Sequence, residues 1–154
     1  MLHHNNLGLR AVALAFLLCP AWLGAAPEVT AGNISVAQAW SRPTPPVAAQ
    51  GAAYLTIRNS SAKPDQLQSV ATPVAGSAEF NETRTLRGVV QMRAVPSLDI
   101  LPGQTLRLEP GALHIMLLNL LHPLTAGTVY PLTLNFRDAG AVTVQVEVRD
   151  LPHE

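Results

Sequence analysis

Thirteen prolines are spread along this chain, and they limit what it can fold into. Proline lacks a backbone donor and disrupts a helix interior, so long helices are disfavoured. No segment of useful length repeats apolar residues at the helical period. The chain contains short β-rich runs instead, separated by turn sequences such as Pro-Gly, Ala-Gly and Asp-Ala-Gly. These sequences supply the dihedral angles that tight turns need, so the pattern predicts an all-β protein.

Nine runs are predicted to be strands. The clearest are residues 105–109 and 143–148, which alternate polar and apolar side chains as half-buried strands do. The predicted strands are 34–40, 52–59, 66–71, 77–83, 89–95, 105–109, 113–119, 130–136 and 142–148. Many short strands at this spacing predict an antiparallel Greek-key β-sandwich.

Residues 1–26 have the pattern of a cleaved secretory signal peptide. Arg10 precedes an uninterrupted apolar run over 11–19, and small residues lie just before position 27. The run is too short to span a bilayer as a helix, and an uncleaved anchor is the alternative. Cys19 would also fit a lipoprotein, but Leu18 is larger than the small residue that such processing needs. We therefore expect one mature domain over residues 27–154, located in the periplasm.

The composition of the mature part excludes several classes of function. The chain has ten basic and ten acidic residues, with no basic cluster, which argues against nucleic acid as a partner. Its one cysteine is Cys19, so the mature part has no disulfide and no thiolate. No second apolar stretch predicts membrane insertion of the mature chain. Hydrolase, zinc-protease and phosphate-loop motifs are also missing, so we predict that the protein is not an enzyme.

One histidine and two methionines point to a metal site. Met92 and Met116 are the methionines beyond the predicted signal, and Met116 lies two positions after His114. Thioether and imidazole are neutral donors that suit Cu(I), and residues i and i+2 of a strand face the same way. The same residues also fit ordinary core packing, with His114 hydrogen-bonded and Met116 as a filler. The spacing alone leaves both interpretations open.

Several separated blocks resemble the PCuAC-type periplasmic copper chaperones. These blocks are AWSRPTPP at 39–46, GAAYLTIRN at 51–59, GVVQMRAV at 88–95, LRLEPGALHIML at 106–117 and VYPLTLNF at 129–136. They run in the family's order from about residue 34 to residue 148. The resemblance implies a cupredoxin-like β-sandwich that binds Cu(I). It also implies delivery of the metal to a copper-accepting respiratory oxidase subunit or to a thiol-bearing assembly factor.

The family's metal motif assigns three ligands in this sequence. The motif is a histidine, a methionine eleven positions on, and His-x-Met after twenty-one further residues. Met92, His114 and Met116 occupy three of these four positions, and Asn81 occupies the place of the first histidine. An amide oxygen is a hard donor that suits Cu(I) poorly, so we expect a His-Met-Met site.

Two functions from different classes follow from the Asn81 substitution. In the first, the protein is a Cu(I) metallochaperone, with His122 or His153 left open as a fourth donor. In the second, the copper site is degenerate and the β-sandwich binds another envelope protein. Trp40, which lies in the first resembling block, is predicted to pack in the core.

Overall fold

The computed structural model describes residues 27–150, so the predicted signal peptide and His153 lie outside the described residues. It contains eleven strands. They are β1 Val29–Ala31, β2 Ile34–Ser41, β3 Gln50–Asn59, β4 Asp65–Ala71, β5 Ala75–Leu86, β6 Val89–Val95, β7 Leu98–Ile100, β8 Thr105–Leu108, β9 Leu113–Leu120, β10 Val129–Phe136 and β11 Gly140–Val148. Between residues 27 and 150 there is no helix long and apolar enough to cross a membrane. The predicted all-β class is confirmed.

The strands join in an order that differs from their order in sequence. One hydrogen-bonded path runs β6-β5-β9-β3-β2-β11-β10-β4-β7, with β1 added to β2 and β8 added to β3. Neighbours distant in sequence, such as β5 and β9, are typical of Greek-key connections. All pairs are antiparallel except β2 and β11, which meet in a short parallel contact. The predicted cupredoxin-like Greek-key sandwich is therefore confirmed, with one parallel pair added.

Alternating side chains along the strands form one hydrophobic core. In β11 the core residues are Val142, Val144, Val146 and Val148, while Thr143 and Gln145 between them are exposed. Successive residues of a strand point to opposite faces, so this alternation covers one face of the sheet and leaves the other in water. The same period of two places Leu132 and Leu134 of β10 in the core.

A bulge in β2 turns Trp40 away from the core. The register between β2 and β3 shifts between Ala37 and Trp40, and Gln38 between them has a φ of 56°. An extra residue at a bulge changes which side chains face inward. Ala39 is consequently buried, and Trp40 is half-buried on the outer face against Tyr54, with ring centroids 4.7 Å apart. The prediction that Trp40 packs in the core is therefore wrong.

A buried carboxylate holds the turn between β10 and β11. Asp65 accepts hydrogen bonds from the backbone N–H groups of Gln66 at 2.7 Å, Asp138 at 3.0 Å and Ala139 at 3.0 Å. Hydrogen bonds to an ionised acceptor are stronger than those between neutral groups. The start of β4 is in this way tied to the turn of the neighbouring hairpin.

Tyr130 and Ser41 form a second buried polar contact, between β10 and β2. Their hydroxyl groups are hydrogen-bonded to each other. Burial raises the pKa of Tyr130 to about 12, although the hydrogen bond with Ser41 acts in the opposite direction. The phenol therefore stays neutral at every physiological pH.

Candidate metal centre

Strand pairing places the three predicted ligands on one face of the sheet. β5 lies between β9 and β6, and it pairs Asn81 with His114 and Thr83 with Met92. Directly opposite residues project from the same face, as do residues two apart in one strand. His114 and Met116 of β9 therefore share a face with Met92 of β6, across the intervening strand.

These three side chains line a single open pocket. The pocket has a volume of about 330 Å³ and lies on the outer surface of the sandwich. Its other lining residues are Gln50, Gly51, Ala52, Tyr54, Thr83 and Gly111. Residues that are more than twenty positions apart in the sequence are thus brought to one small space.

The main chain fixes the orientation of the His114 ring. Nδ1 of His114 lies 2.9 Å from the carbonyl oxygen of Ala112, which also accepts a hydrogen bond from the backbone N–H of Thr83 at 3.1 Å. A carbonyl can only accept, so Nδ1 carries the proton and the lone pair of the neutral ring is on Nε2. Proteins commonly orient a histidine ligand by such a hydrogen bond from the ring nitrogen that does not bind the metal. Nε2 is therefore the atom of His114 that can bind a metal.

The three side chains differ in their exposure to solvent. His114 is only 5% exposed, Met116 is half-buried, and Met92 is 55% exposed. The site therefore has a buried imidazole at its base and a freely accessible thioether at its rim. Within residues 27–150 no cluster of three or more histidine, cysteine or acidic side chains could hold a metal. The neutral nitrogen and sulfur donors of this pocket have the softness that Cu(I) prefers.

Asn81 lies beside the pocket and is bonded elsewhere. It is 5% exposed and directly opposite His114, but it does not line the pocket. Its Nδ2 donates a hydrogen bond to Oε1 of Glu79 at 2.8 Å. Position 81 therefore lies where the strand register would allow a fourth ligand. The Asn81 side chain itself is hydrogen-bonded to the carboxylate of Glu79.

An aromatic wall adjoins the pocket, and the sequence did not reveal it. Tyr54 lines the pocket, with its ring centroid 6.5 Å from that of His114 and 4.7 Å from that of Trp40. Arg149 lies over the Trp40 ring, with Cζ 5.0 Å from the centroid, which is a cation–π geometry. Burial raises the pKa of Tyr54, and Arg42 partly offsets this rise. Gln50, Ala52 and Tyr54 alternate along β3 and so share one face, but the sequence alone does not show that this face adjoins the pocket.

Residues 34–148 match the family described as LpqE-like. This chain belongs to that family. It is the PCuAC-like family, so the resemblance found in the sequence is confirmed. A protein of Leifsonia xyli subsp. xyli named "Putative lipoprotein Lxx21020" is 33% identical over 153 residues, covering 92% of this chain and 90% of its own length.

Two solved structures have the same fold. The CuI-DR1885 solution structure from Deinococcus radiodurans is 31% identical, with a TM-score of 0.62, and the match covers 86% of this chain and 85% of that one. The copper-bound PCuAC domain from PmoF2 has a TM-score of 0.69 and covers 81% and 99% of the two chains. At 22% identity, the PmoF2 match supports the fold alone.

Proposed function

We propose that this protein is an extracytoplasmic Cu(I)-binding metallochaperone. It delivers copper to the copper site of a respiratory oxidase or to a thiol-bearing assembly factor. The observation that carries the proposal is the convergence of Met92, His114 and Met116 on one open pocket. The Cu(I) form of its homologue DR1885 supports the same metal.

The exposure of the three donors suits a protein that holds copper and then releases it. Nε2 of His114 is the strongest donor, and the thioethers of Met116 and Met92 complete a neutral, soft set. Met92 is the most exposed of the three, so an acceptor can replace it first. A thiolate of the acceptor is softer and carries negative charge, which favours stepwise transfer of Cu(I) to that side.

The proposed function requires ligand exchange and no catalysis. The residues that line the pocket include no carboxylate and no lysine. The pocket therefore lacks a pair of carboxylates for general acid–base catalysis. We propose that the protein is not an enzyme.

A periplasmic location has two supports. Residues 1–26 have the pattern of a secretory signal peptide. The family description and the name of the Leifsonia relative both refer to lipoproteins, which are proteins of the cell envelope. Both observations favour action outside the cytoplasm.

Asn81 favours a second candidate function. Its amide donates to Glu79, so the usual fourth position supplies no imidazole. A β-sandwich with a degenerate copper site would then act by binding another envelope protein. The two candidates differ in whether the protein binds Cu(I) at all.

A titration with Cu(I) distinguishes the two candidates. Under anaerobic conditions, with a chromophoric chelator as competitor, residues 27–154 should bind one Cu(I) per chain. His114→Ala should weaken binding by more than the ~10–100-fold that loss of an outer-shell partner causes. Met92→Leu and Met116→Leu, which preserve apolar volume, should weaken it as well. His122→Ala is the matched control, because His122 is exposed and does not line the pocket. Affinity unchanged in all three ligand variants would favour the second candidate.

Restoring an imidazole at position 81 tests the geometry of the site. Asn81 is opposite His114, so Asn81→His should place a fourth donor near the metal and tighten Cu(I) binding at least about tenfold. Asn81→Ala, which also removes the hydrogen bond to Glu79, should leave the affinity of the three-donor site unchanged. If Asn81→His gives no gain while folding normally, position 81 lies too far from the ion.

A further inference from the structure

The hairpin formed by β5 and β6 carries apolar side chains that the described fold does not cover. We refer to residues 82–93 as the distal hairpin. Leu86, Val89, Val90 and Met92 are between 55% and 68% exposed. Val90 and Met92 share the face of β6 that adjoins the pocket, whereas Leu86 and Val89, which pair with each other, project from the opposite face. Single exposed apolar side chains are ordinary on a protein surface, but four of them within residues 86–92 are a cluster on both faces of one hairpin. Clusters of exposed apolar side chains mark interaction sites.

The outer edge of β6 is open to a further strand. β6 ends the hydrogen-bonded path and pairs with β5 alone among the described strands. One row of its backbone N–H and C=O groups therefore faces away from the sheet. An exposed edge with apolar side chains is a template for strand addition by another polypeptide.

The charge of the distal hairpin indicates what kind of polypeptide it fits. The distal hairpin contains three arginines, Arg84, Arg87 and Arg93, and a single carboxylate, that of Glu82, so three positive charges less one negative leave a net charge of +2. Glu82 is 2.8 Å from Arg84 and 3.6 Å from Arg93. The chain as a whole has a net charge of zero, so positive charge is concentrated here. Such a surface attracts an acidic partner and repels a second copy of itself.

The turn of the distal hairpin contains an arginine, Arg87, in an unfavourable backbone conformation. Arg87 and Gly88 form a two-residue turn, with φ values of 52° and 77°. Turns with both residues at positive φ favour Asn-Gly, because a residue with a long side chain is strained there. At Arg87 a guanidinium occupies the tip of the hairpin despite this strain. Strain at one position is a reason to look for a function of its side chain.

We propose that the distal hairpin is the docking surface for the copper acceptor, a protein that adds an acidic edge strand to β6. The inference depends on the proposed function, because it assigns the docked protein the role of acceptor. Met92 is one of the exposed apolar side chains of β6 and also lines the pocket, so a strand on β6 lies beside the metal site. A lipid surface fits less well, because hydrocarbon would leave the free backbone groups of β6 without partners.

The test uses metal-free protein, so that it does not depend on copper binding. The probe is a synthetic 12-residue peptide in which valine alternates with glutamate, and its matched control has lysine in place of each glutamate. In amide NMR spectra the glutamate peptide should shift resonances of residues 84–93. It should bind at least about tenfold more tightly than the lysine peptide, and the difference should shrink as salt is added. A glutamate peptide with an N-methyl group on every residue has no backbone donor at either edge, so it cannot add a strand and should not bind.

Charge reversal supplies the decisive comparison. The double variant Arg84→Glu and Arg93→Glu should reverse the preference, so that the lysine peptide binds about tenfold more tightly. Lys63→Glu with Arg107→Glu is the matched control, because it makes the same change in net charge outside the distal hairpin. If the double variant does not fold, Arg87→Glu at the tip should still reduce binding of the glutamate peptide.

Four results would overturn the proposal: equal binding of the two peptides, shifts confined to another part of the protein, binding of the N-methylated peptide, or shifts of residues 84–93 by phosphatidylglycerol vesicles alone. The Cu(I) titration is separate from this experiment. Peptide binding without copper binding would refute the metallochaperone function and leave the docking surface in place. Copper binding without peptide binding would refute the docking surface alone.

Discussion

The β10–β11 and β5–β6 hairpins are built in the same way and serve different purposes. The first pairs eight positions and the second pairs seven, all antiparallel. Side chains of β10 and β11 alternate between the core and the surface, whereas most of β6 is exposed. Backbone pairing therefore sets the geometry of both hairpins, while burial decides which one stabilises the fold. Met92 is on β6, a strand that contributes little to the core.

The largest expected difference between the two hairpins is in the cost of truncating a side chain. Leu134 of β10 is fully buried, so Leu134→Ala should lower the free energy of unfolding by about 2–5 kcal/mol. Val90 of β6 is 68% exposed, so Val90→Ala should change it by less than about 0.5 kcal/mol. Urea unfolding of both variants measures this contrast. Equal losses of unfolding free energy in the two variants would mean that the Val90 side chain of the distal hairpin is covered in solution.

Removal of a carboxylate should also have unequal effects. Asp65→Asn replaces the carboxylate that accepts three backbone hydrogen bonds, two of them from the β10–β11 turn, and we expect a loss of about 3 kcal/mol. Glu82→Gln removes the exposed ion pairs of the distal hairpin and should cost less than about 1 kcal/mol. The measurement is the midpoint of urea unfolding at neutral pH. Similar midpoints for the two variants would contradict the role assigned to Asp65.

Alkaline pH should weaken the buried hairpin through Tyr130. Its pKa is about 12 in the folded protein and about 10 in the unfolded chain. Between these values the unfolded chain has lost the proton and the folded protein still binds it. Stability is therefore complete below pH 10 and falls as the pH rises toward 12, by about 1–1.5 kcal/mol between pH 9 and pH 11.

Tyr130→Phe is the control for this pH dependence. It should be less stable than the natural protein at neutral pH, because the Ser41 hydroxyl loses its buried partner. It should also lose less stability between pH 9 and pH 11, with the remainder coming from Tyr54, whose pKa is raised in the same direction. If the free energy of unfolding, measured with urea, falls as steeply with pH in Tyr130→Phe as in the natural protein, other groups cause the pH dependence.

The smallest expected effect is a gain, at the tip of the distal hairpin. Arg87→Asn places a residue that tolerates positive φ in the turn, so it should stabilise the protein by roughly 0.5–1 kcal/mol. The same variant should bind the glutamate peptide less tightly, because one positive charge is lost. Thermal unfolding and the NMR titration measure the two effects. A loss of stability would show that the Arg87 side chain makes a stabilising contact.

The fold was predictable because its signals are local. All nine predicted strands are present, since alternation and turn residues can be read within a few positions of each other. β1 and β7 were missed because three residues are too few to show a period. The bulge at Gln38 was missed because it depends on pairing with β3, and that error placed Trp40 in the core.

The site was predictable only in part. The sequence identified Met92, His114 and Met116 as candidates, and the structure places all three in one pocket. Tyr54 beside the pocket could not be found, because the pairing of β3 with β9 joins residues distant in sequence. The bond of His114 to the Ala112 carbonyl is also invisible in the sequence, since any residue at position 112 offers that group.

The main-chain origin of the hydrogen bond to His114 affects how the site withstands mutation. Residue 112 offers its carbonyl to the imidazole whatever its side chain, so a substitution there that keeps the backbone conformation leaves that contact in place. Position 81 has no such protection, since a donor at that place must come from a side chain and one substitution removes it. Evolution can therefore discard the first ligand of the motif in a single step while the geometry of the remaining histidine persists.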